Sequence, residues 1–230
     1  MQKQSLETRV AAVTALDDPT RRALLNFVVR SAGPVGRDAV AEEFTMPRST
    51  AAFHLDRLVA QGLLEVEFKR LSGRTGPGSG RPAKLYHRAP GEISVSVPER
   101  HYDLAANLLV AAVDKAAADG DGVIHALTDA AHQAGAQMAA GASNLGDVLE
   151  SNGFEPYTQA DGSTAMANCP FHQLVANHPD TVCTMNLHLL RGAACACGAD
   201  PDSLQLDPAP GRCCVTIRPP ANFKAPASEG

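Results

Sequence analysis

Apolar positions in the first ninety residues recur at two periods, and the change of period marks the architecture. Residues 6–16 form a short helical run. Asp17-Asp18-Pro19 then supplies a cap and a residue whose missing N–H costs nothing in a first helical turn, which opens a helix to Arg30. Leu24, Leu25, Phe27 and Val28 give that helix its apolar face, and Ser31-Ala32-Gly33-Pro34 ends it. Next come a helix over residues 36–44, a turn at Thr45-Met46-Pro47 and a helix over 48–60 that turns Leu55, Leu58 and Val59 inward. From Leu63 the period drops to two. Residues 63–69 and 83–87 alternate around a stretch rich in Gly, Ser and Arg, the pattern of a β-hairpin with a long tip.

Two short helices, a tight turn between them and a following hairpin predict a winged helix-turn-helix. The second helix presents its first turn to the major groove, so Arg48, Ser49 and Thr50 are candidate DNA contacts, with His54 and Arg57 further along. The hairpin is the wing, and Arg70, Arg74, Arg81 and Lys84 are placed to hold the sugar-phosphate backbone.

Beyond residue 90, Ile93, Val95 and Val97 alternate as a strand would, and Pro98 opens a helix over 99–118 carrying Leu104, Leu108 and Ala112. Gly120-Asp121-Gly122 separates it from a second helix with Val123, Leu127, Ala130, Ala131, Ala134 and Met138 on one side. Small side chains of this kind let helix axes approach closely, and the pair serves either a dimer surface or the rear domain's own core. A helix over 145–152, a hairpin from 155 to 168, helices over 170–177 and 181–194, and strands around Leu204 and Val215 complete the chain. The expected fold class is α+β: a winged helix-turn-helix domain over 1–90, a helical linker or dimerisation segment over 91–142, and a small α/β cysteine-bearing sensor domain over 143–230.

Composition sharpens this picture in two places. The chain of 230 residues has a net charge of -5, yet residues 1–90 hold 14 Lys+Arg against 9 Asp+Glu while residues 91–230 hold 6 against 16. A basic front half and an acidic rear half suit a phosphate-facing module joined to a different device. The longest apolar run, 104–113, is interrupted by Asn107 and too short to span a bilayer, and the first residues are polar, so a cytoplasmic protein without a membrane anchor is expected.

The second place is the cysteines. All six, Cys169, Cys183, Cys195, Cys197, Cys213 and Cys214, fall between residues 168 and 217. In a reducing cytoplasm such thiols are metal ligands or redox groups before they are structural disulfides. Cys169 is expected at the amino end of a helix, where free amides and the macrodipole favour a thiolate. Cys183 shares a helix face with Leu187 and Leu190, and Cys213 and Cys214, if in a strand, point to opposite faces so that one of them reaches a shared site. The separations of Cys169, Cys183, Cys197 and Cys213 are too long for the hooks of zinc ribbons and suit ligands gathered from separate elements, as a cubane iron-sulfur cluster requires. A zinc site or a reversible disulfide switch is the alternative within the same regulator class. An enzyme with a cysteine nucleophile and one of His172, His178 or His188 is disfavoured by the winged helix in front and by the lack of an evident catalytic dyad.

Asp18-Pro19-Thr20-Arg21-Arg22-Ala23-Leu24-Leu25, Arg48-Ser49-Thr50-Ala51-Ala52-Phe53-His54-Leu55 and Leu58-Val59-Ala60-Gln61-Gly62-Leu63-Leu64 resemble the ArsR-like winged-helix regulators. That resemblance implies a homodimer reading double-stranded DNA at an inverted repeat, with half-sites roughly 34 Å apart. Asn168-Cys169-Pro170-Phe171-His172, Val182-Cys183-Thr184-Met185-Asn186 and the run Leu206 to Cys214 resemble the sensor domain of SufR-type iron-sulfur repressors of cluster-assembly operons. It implies a 4Fe-4S cluster held by Cys169, Cys183 and Cys213, and a cluster-loaded form that represses. Spacing favours Cys197 as the fourth ligand, with Cys195, Cys214, His172, His188 or an exogenous group as alternatives.

Overall fold

Side-chain caps set the first two helices. Ser5 accepts the Thr8 N–H at 3.2 Å to begin α1 (Leu6–Ala15), and Asp18 Oδ1 accepts the N–H groups of Thr20 and Arg21 at 2.8 and 3.2 Å to begin α2 (Pro19–Arg30). The structure, a computed structural model, describes residues 5–70 and 82–219. The chain divides into two units, Met1–Val95 and Ser96–Gly230, each with its own apolar core.

In the first unit a two-residue strand β1 (Val35–Gly36) leads into α3 (Arg37–Glu43), and α4 (Arg48–Ala60) follows the turn through Thr45. Leu24 and Val28 of α2, Val40 of α3 and Ala51, Leu55 and Leu58 of α4 meet in a buried core, closed by the edge-on pair Phe27 and Phe44 at 5.7 Å. β2 (Leu64–Lys69) and β3 (Ala83–Arg88) pair antiparallel from Leu64↔Arg88 to Lys69↔Ala83, and β1 adds to β3, giving the order β1-β3-β2. This is a helix-turn-helix with its wing hairpin.

The second unit starts differently from the sequence expectation. Residues 93–97 form no strand, because alternation alone lacks a partner edge, and Val97 is 88 % exposed. α5 (Tyr102–Asp119) begins three residues later than expected, since the backbone of Glu99, Arg100 and His101 is bonded elsewhere in the unit. α6 (Val123–Met138) then packs along α9 (Pro179–Ala196), the central helix. Gly135 and Gly192 mark their closest approach. A Cβ on Gly135 would lie 1.8 Å from the Leu189 carbonyl oxygen, and one on Gly192 would lie 1.9 Å from that of His132.

Between these helices come α7 (Leu145–Ser151), β4 (Pro156–Thr158), β5 (Thr164–Met166) and α8 (His172–Asn177). After α9, a 3-10 turn at Pro201–Ser203 leads to β6 (Leu204–Leu206) and β7 (Val215–Ile217). The four strands form an antiparallel sheet in the order β4-β5-β7-β6, with Thr164 opposite Ile217 and Gln205 opposite Thr216. β6 and β7 touch α9, so α9 has α6 on one flank and the sheet on another. The fold is α+β, with every cysteine in the second unit.

Candidate functional site

On α4, packing of Ala51, Leu55 and Leu58 into the core leaves Arg48, Ser49, Phe53, Asp56 and Arg57 exposed and Thr50 half-buried. Arg48 Nε lies 3.1 Å from Asp38 Oδ1, a pairing between mostly exposed side chains that leaves the guanidinium exchangeable. Phe53 is 64 % exposed in the middle of the outward face, a position that sequence reasoning passed over because an aromatic residue in a helix usually reads as core. His54 does not share that face fully: it is half-buried, its Nδ1 is enclosed without a hydrogen-bond partner among the described residues, and its ring meets Phe53 edge-on at 5.5 Å.

Of the expected wing contacts, Arg70 is exposed at the end of β2, and Arg74 and Arg81 lie outside the described residues. Lys84 is engaged within the unit. Its Nζ sits 2.5 Å from Asp56 Oδ1 and 5.2 Å from the Tyr86 ring centroid, while the Tyr86 hydroxyl donates to the same Asp56 oxygen at 2.8 Å. Burial pushes the Asp56 carboxyl up, but these hydrogen bonds and the Lys84 charge outweigh it and hold its pKa below the ordinary value. The trio fastens the wing to α4.

In the second unit, four sulfurs meet. Cys169 follows β5, Cys183 lies in the second turn of α9, and Cys213 and Cys214 precede β7; all four are buried and reduced. The Cys169 thiol donates to Cys213, and the Cys214 thiol lies between Cys213 and Cys183 with its one proton shared between them. Asn186, one turn beyond Cys183 and fully buried, donates from Nδ2 to Cys213 Sγ at 3.3 Å, and its Oδ1 has no partner among the described residues. These hydrogen bonds, led by that from Cys169, hold Cys213 far below the usual thiol range. Its donors move the other way: Cys169 is pushed up by the hydrogen bond it donates to Cys213 and by burial, and Cys214 likewise.

Two expectations are corrected here. α8 starts at His172 with Phe171 as its cap, so Cys169 sits in the turn before the helix rather than at its amino end, and the macrodipole does not make it the thiolate. Cys213 and Cys214 both face the sulfur group. The β7 ladder begins only at Val215, and in the turn before it the Cys213 N–H bonds to Met166 O at 2.9 Å while Cys214 O accepts from Asp207 at 2.8 Å, which frees the pair from strand alternation.

Cys197 is not brought to this group. It caps the far end of α9, half-buried, about 21 Å along the axis from Cys183 at the usual helical rise, and Cys195 beside it is exposed. An all-sulfur donor set without carboxylate or imidazole selects iron-sulfur clusters, zinc or cuprous copper over hard cations. Among the described residues no three His, Cys, Asp or Glu side chains converge as ligands of a single metal ion.

Residues 16–67 match a helix-turn-helix domain family, a span running from just before α2 into β2. No curated protein and no solved structure gives a significant match to the chain. No helix among the described residues is long and apolar enough to cross a membrane.

Proposed function

We propose that this chain, a DNA-binding regulator by virtue of its helix-turn-helix domain, is an iron-sulfur-dependent transcriptional repressor. The observation that carries this reading is the buried meeting of four thiols drawn from three separate places in the second unit. Cys169, Cys183 and Cys213 are the ligands implied by sequence resemblance, and Cys214 takes the fourth place in preference to Cys197 because its thiol already touches Cys213 and Cys183. The choice of a 4Fe-4S cluster over zinc rests on the resemblance of the motifs around Cys169, Cys183 and Cys213 to those of iron-sulfur repressors.

The residues divide the work. Arg48, Ser49, Thr50, Phe53 and Arg57 form the groove-facing surface of α4, with Arg70 just past the end of β2; Arg and hydroxyl groups meet phosphate and base edges, and the phenyl ring suits a thymine methyl. His54 and Lys84 support that surface from within the unit. In the rear unit Asn186 supplies an N–H to the Cys213 sulfur, and the surrounding apolar core excludes water. When bound, the cluster supplies a link between these sulfurs that oxidants and iron shortage can break. A homodimer on an inverted repeat, controlling cluster assembly, completes the proposal and rests on the resemblance of the motifs around Cys169, Cys183 and Cys213.

Purification under argon followed by iron, acid-labile sulfide and zinc analysis tests the reading. About four irons and four sulfides per chain are expected for a cubane cluster. Equimolar zinc without sulfide overturns the cluster in favour of a zinc regulator. Metal-free protein whose DNA affinity changes on thiol oxidation overturns it in favour of a disulfide switch between the touching thiols.

A further inference from the structure

The chain enters the second unit through residues 96–101, and those residues are fastened to the sequence around Cys169. Glu99, Arg100 and His101 run alongside Asn168, Cys169 and Pro170. Arg100 Nη1 donates to Asn168 Oδ1 and, at 3.2 Å, to the Cys169 carbonyl. Asn168 Nδ2 donates to Glu99 O at 3.1 Å and to Gly153 O at 2.5 Å. The His101 N–H donates to Pro170 O at 3.1 Å, and the Arg100 N–H donates to Ser96 Oγ at 2.9 Å, closing the turn. Asn168 is 5 % exposed and Arg100 half-buried, so these bonds are sheltered from water. Gly153 permits the approach: with φ at +71, a Cβ there would also lie 2.7 Å from Glu99 Cβ.

None of these groups is a sulfur ligand, and none is needed to fill the core. Four of the bonds, those of Arg100 Nη1 to Asn168 Oδ1 and Cys169 O, of Asn168 Nδ2 to Glu99 O and of His101 N–H to Pro170 O, join the sequence around Cys169 to the segment that is covalently continuous with the DNA-binding unit. We propose that Arg100 and Asn168 are positioning residues that convert ligation of the Cys169 sulfur into a tighter hold on residues 96–101. The chain between recognition helix and sensor is thereby set by the state of one cysteine. The inference rests on the cluster reading only for the identity of the ligand; any group that seizes Cys169 together with its neighbours would act through the same bonds. A peptide segment whose carbonyl and side chain are both clamped cannot shift when its sulfur is drawn inward without moving its clamp.

Amide hydrogen exchange on the full chain tests this. Protein reconstituted under argon with ferrous iron and sulfide is compared with apo protein, and both with Arg100→Met. In the wild type the Arg100 and His101 amides exchange about tenfold more slowly when loaded, whereas in Arg100→Met the change falls to about twofold or less at unchanged iron and sulfide content. The affinity ratio between loaded and apo protein, for a duplex selected from random sequence by the loaded wild type, collapses in the same variant. Arg100→Lys, whose ammonium ends one bond short of the Nη1 position, gives an intermediate loss and serves if Arg100→Met does not fold. Full iron and sulfide loading with no change at Arg100 and His101, or a change that Arg100→Met and Arg100→Lys leave intact, overturns the inference while the cluster reading stands. If no iron and sulfide are taken up, the cluster reading falls, and cadmium is the probe of thiol ligation: slowed exchange that Arg100→Met removes supports the coupling, and unaltered exchange overturns it.

Discussion

Cys214 and Cys197 compete for one role, and a pair of variants separates them. Cys214→Ser should lose most of the iron and sulfide retained after gel filtration, because it removes a thiol that touches two others; Cys197→Ser, at the far end of α9, should retain them. Asn186→Leu draws a finer distinction. The side chain is fully buried with one of its two polar atoms unpaired, so an apolar residue of similar volume should leave apo stability within about 1 kcal/mol in urea unfolding. The same variant should retain less iron under air, since the Cys213 sulfur loses one of its N–H donors. At this scale the sequence was legible for the confinement of the thiols and silent on which of them meet. Strand alternation would have separated Cys213 from Cys214, and only the turn before Val215 shows why it does not apply. Phe53 escaped for a related reason: whether an aromatic residue points in or out depends on which neighbours the helix packs against.

The wing and its recognition helix form an element held by one carboxylate. Asp56 titrates below its ordinary range in the folded state, so its contribution is present above about pH 4 and is lost as the pH falls through the folded value. Asp56→Asn should therefore cost stability at neutral pH and progressively less as the pH falls below the ordinary carboxylate range, read by denaturant unfolding against pH. Its carboxylate and the Lys84 ammonium are both substantially exposed, which keeps the difference below about 1 kcal/mol. The α6–α9 crossing is far less forgiving. Gly192→Ala gains about 1 kcal/mol in helix propensity, yet its methyl group would overlap the His132 carbonyl, and backbone cannot swing aside as a side chain does. A net loss of about 2 kcal/mol or more is expected in thermal or urea unfolding. Periodicity anticipated α2, α4, the wing strands and α9 because their apolar residues are local and regular. It missed the start of α5, where bonds from Glu99 and His101 to residues 152–170 decide the backbone, and the absent strand at 93–97, where alternation has no partner edge; no local pattern records either.

Two cores that share no residues give the whole molecule two melting events. Calorimetry of the full chain should resolve two transitions, of which reconstitution with iron and sulfide raises only the one belonging to the rear unit, by an amount that grows with ligand excess over its dissociation constant. Movement of both transitions together would show that the halves unfold as one. The glycine pair at the helix crossing limits how α9 can move against α6. α9 carries Cys183 near one end and is pinned near the other, where neither Arg191 nor Ala193 could replace Gly192 against the His132 carbonyl. A piston stroke along the axis would set one of those side chains against that carbonyl, so under the proposed ligation a pull on the Cys183 sulfur is expected to swing the helix about its crossing point.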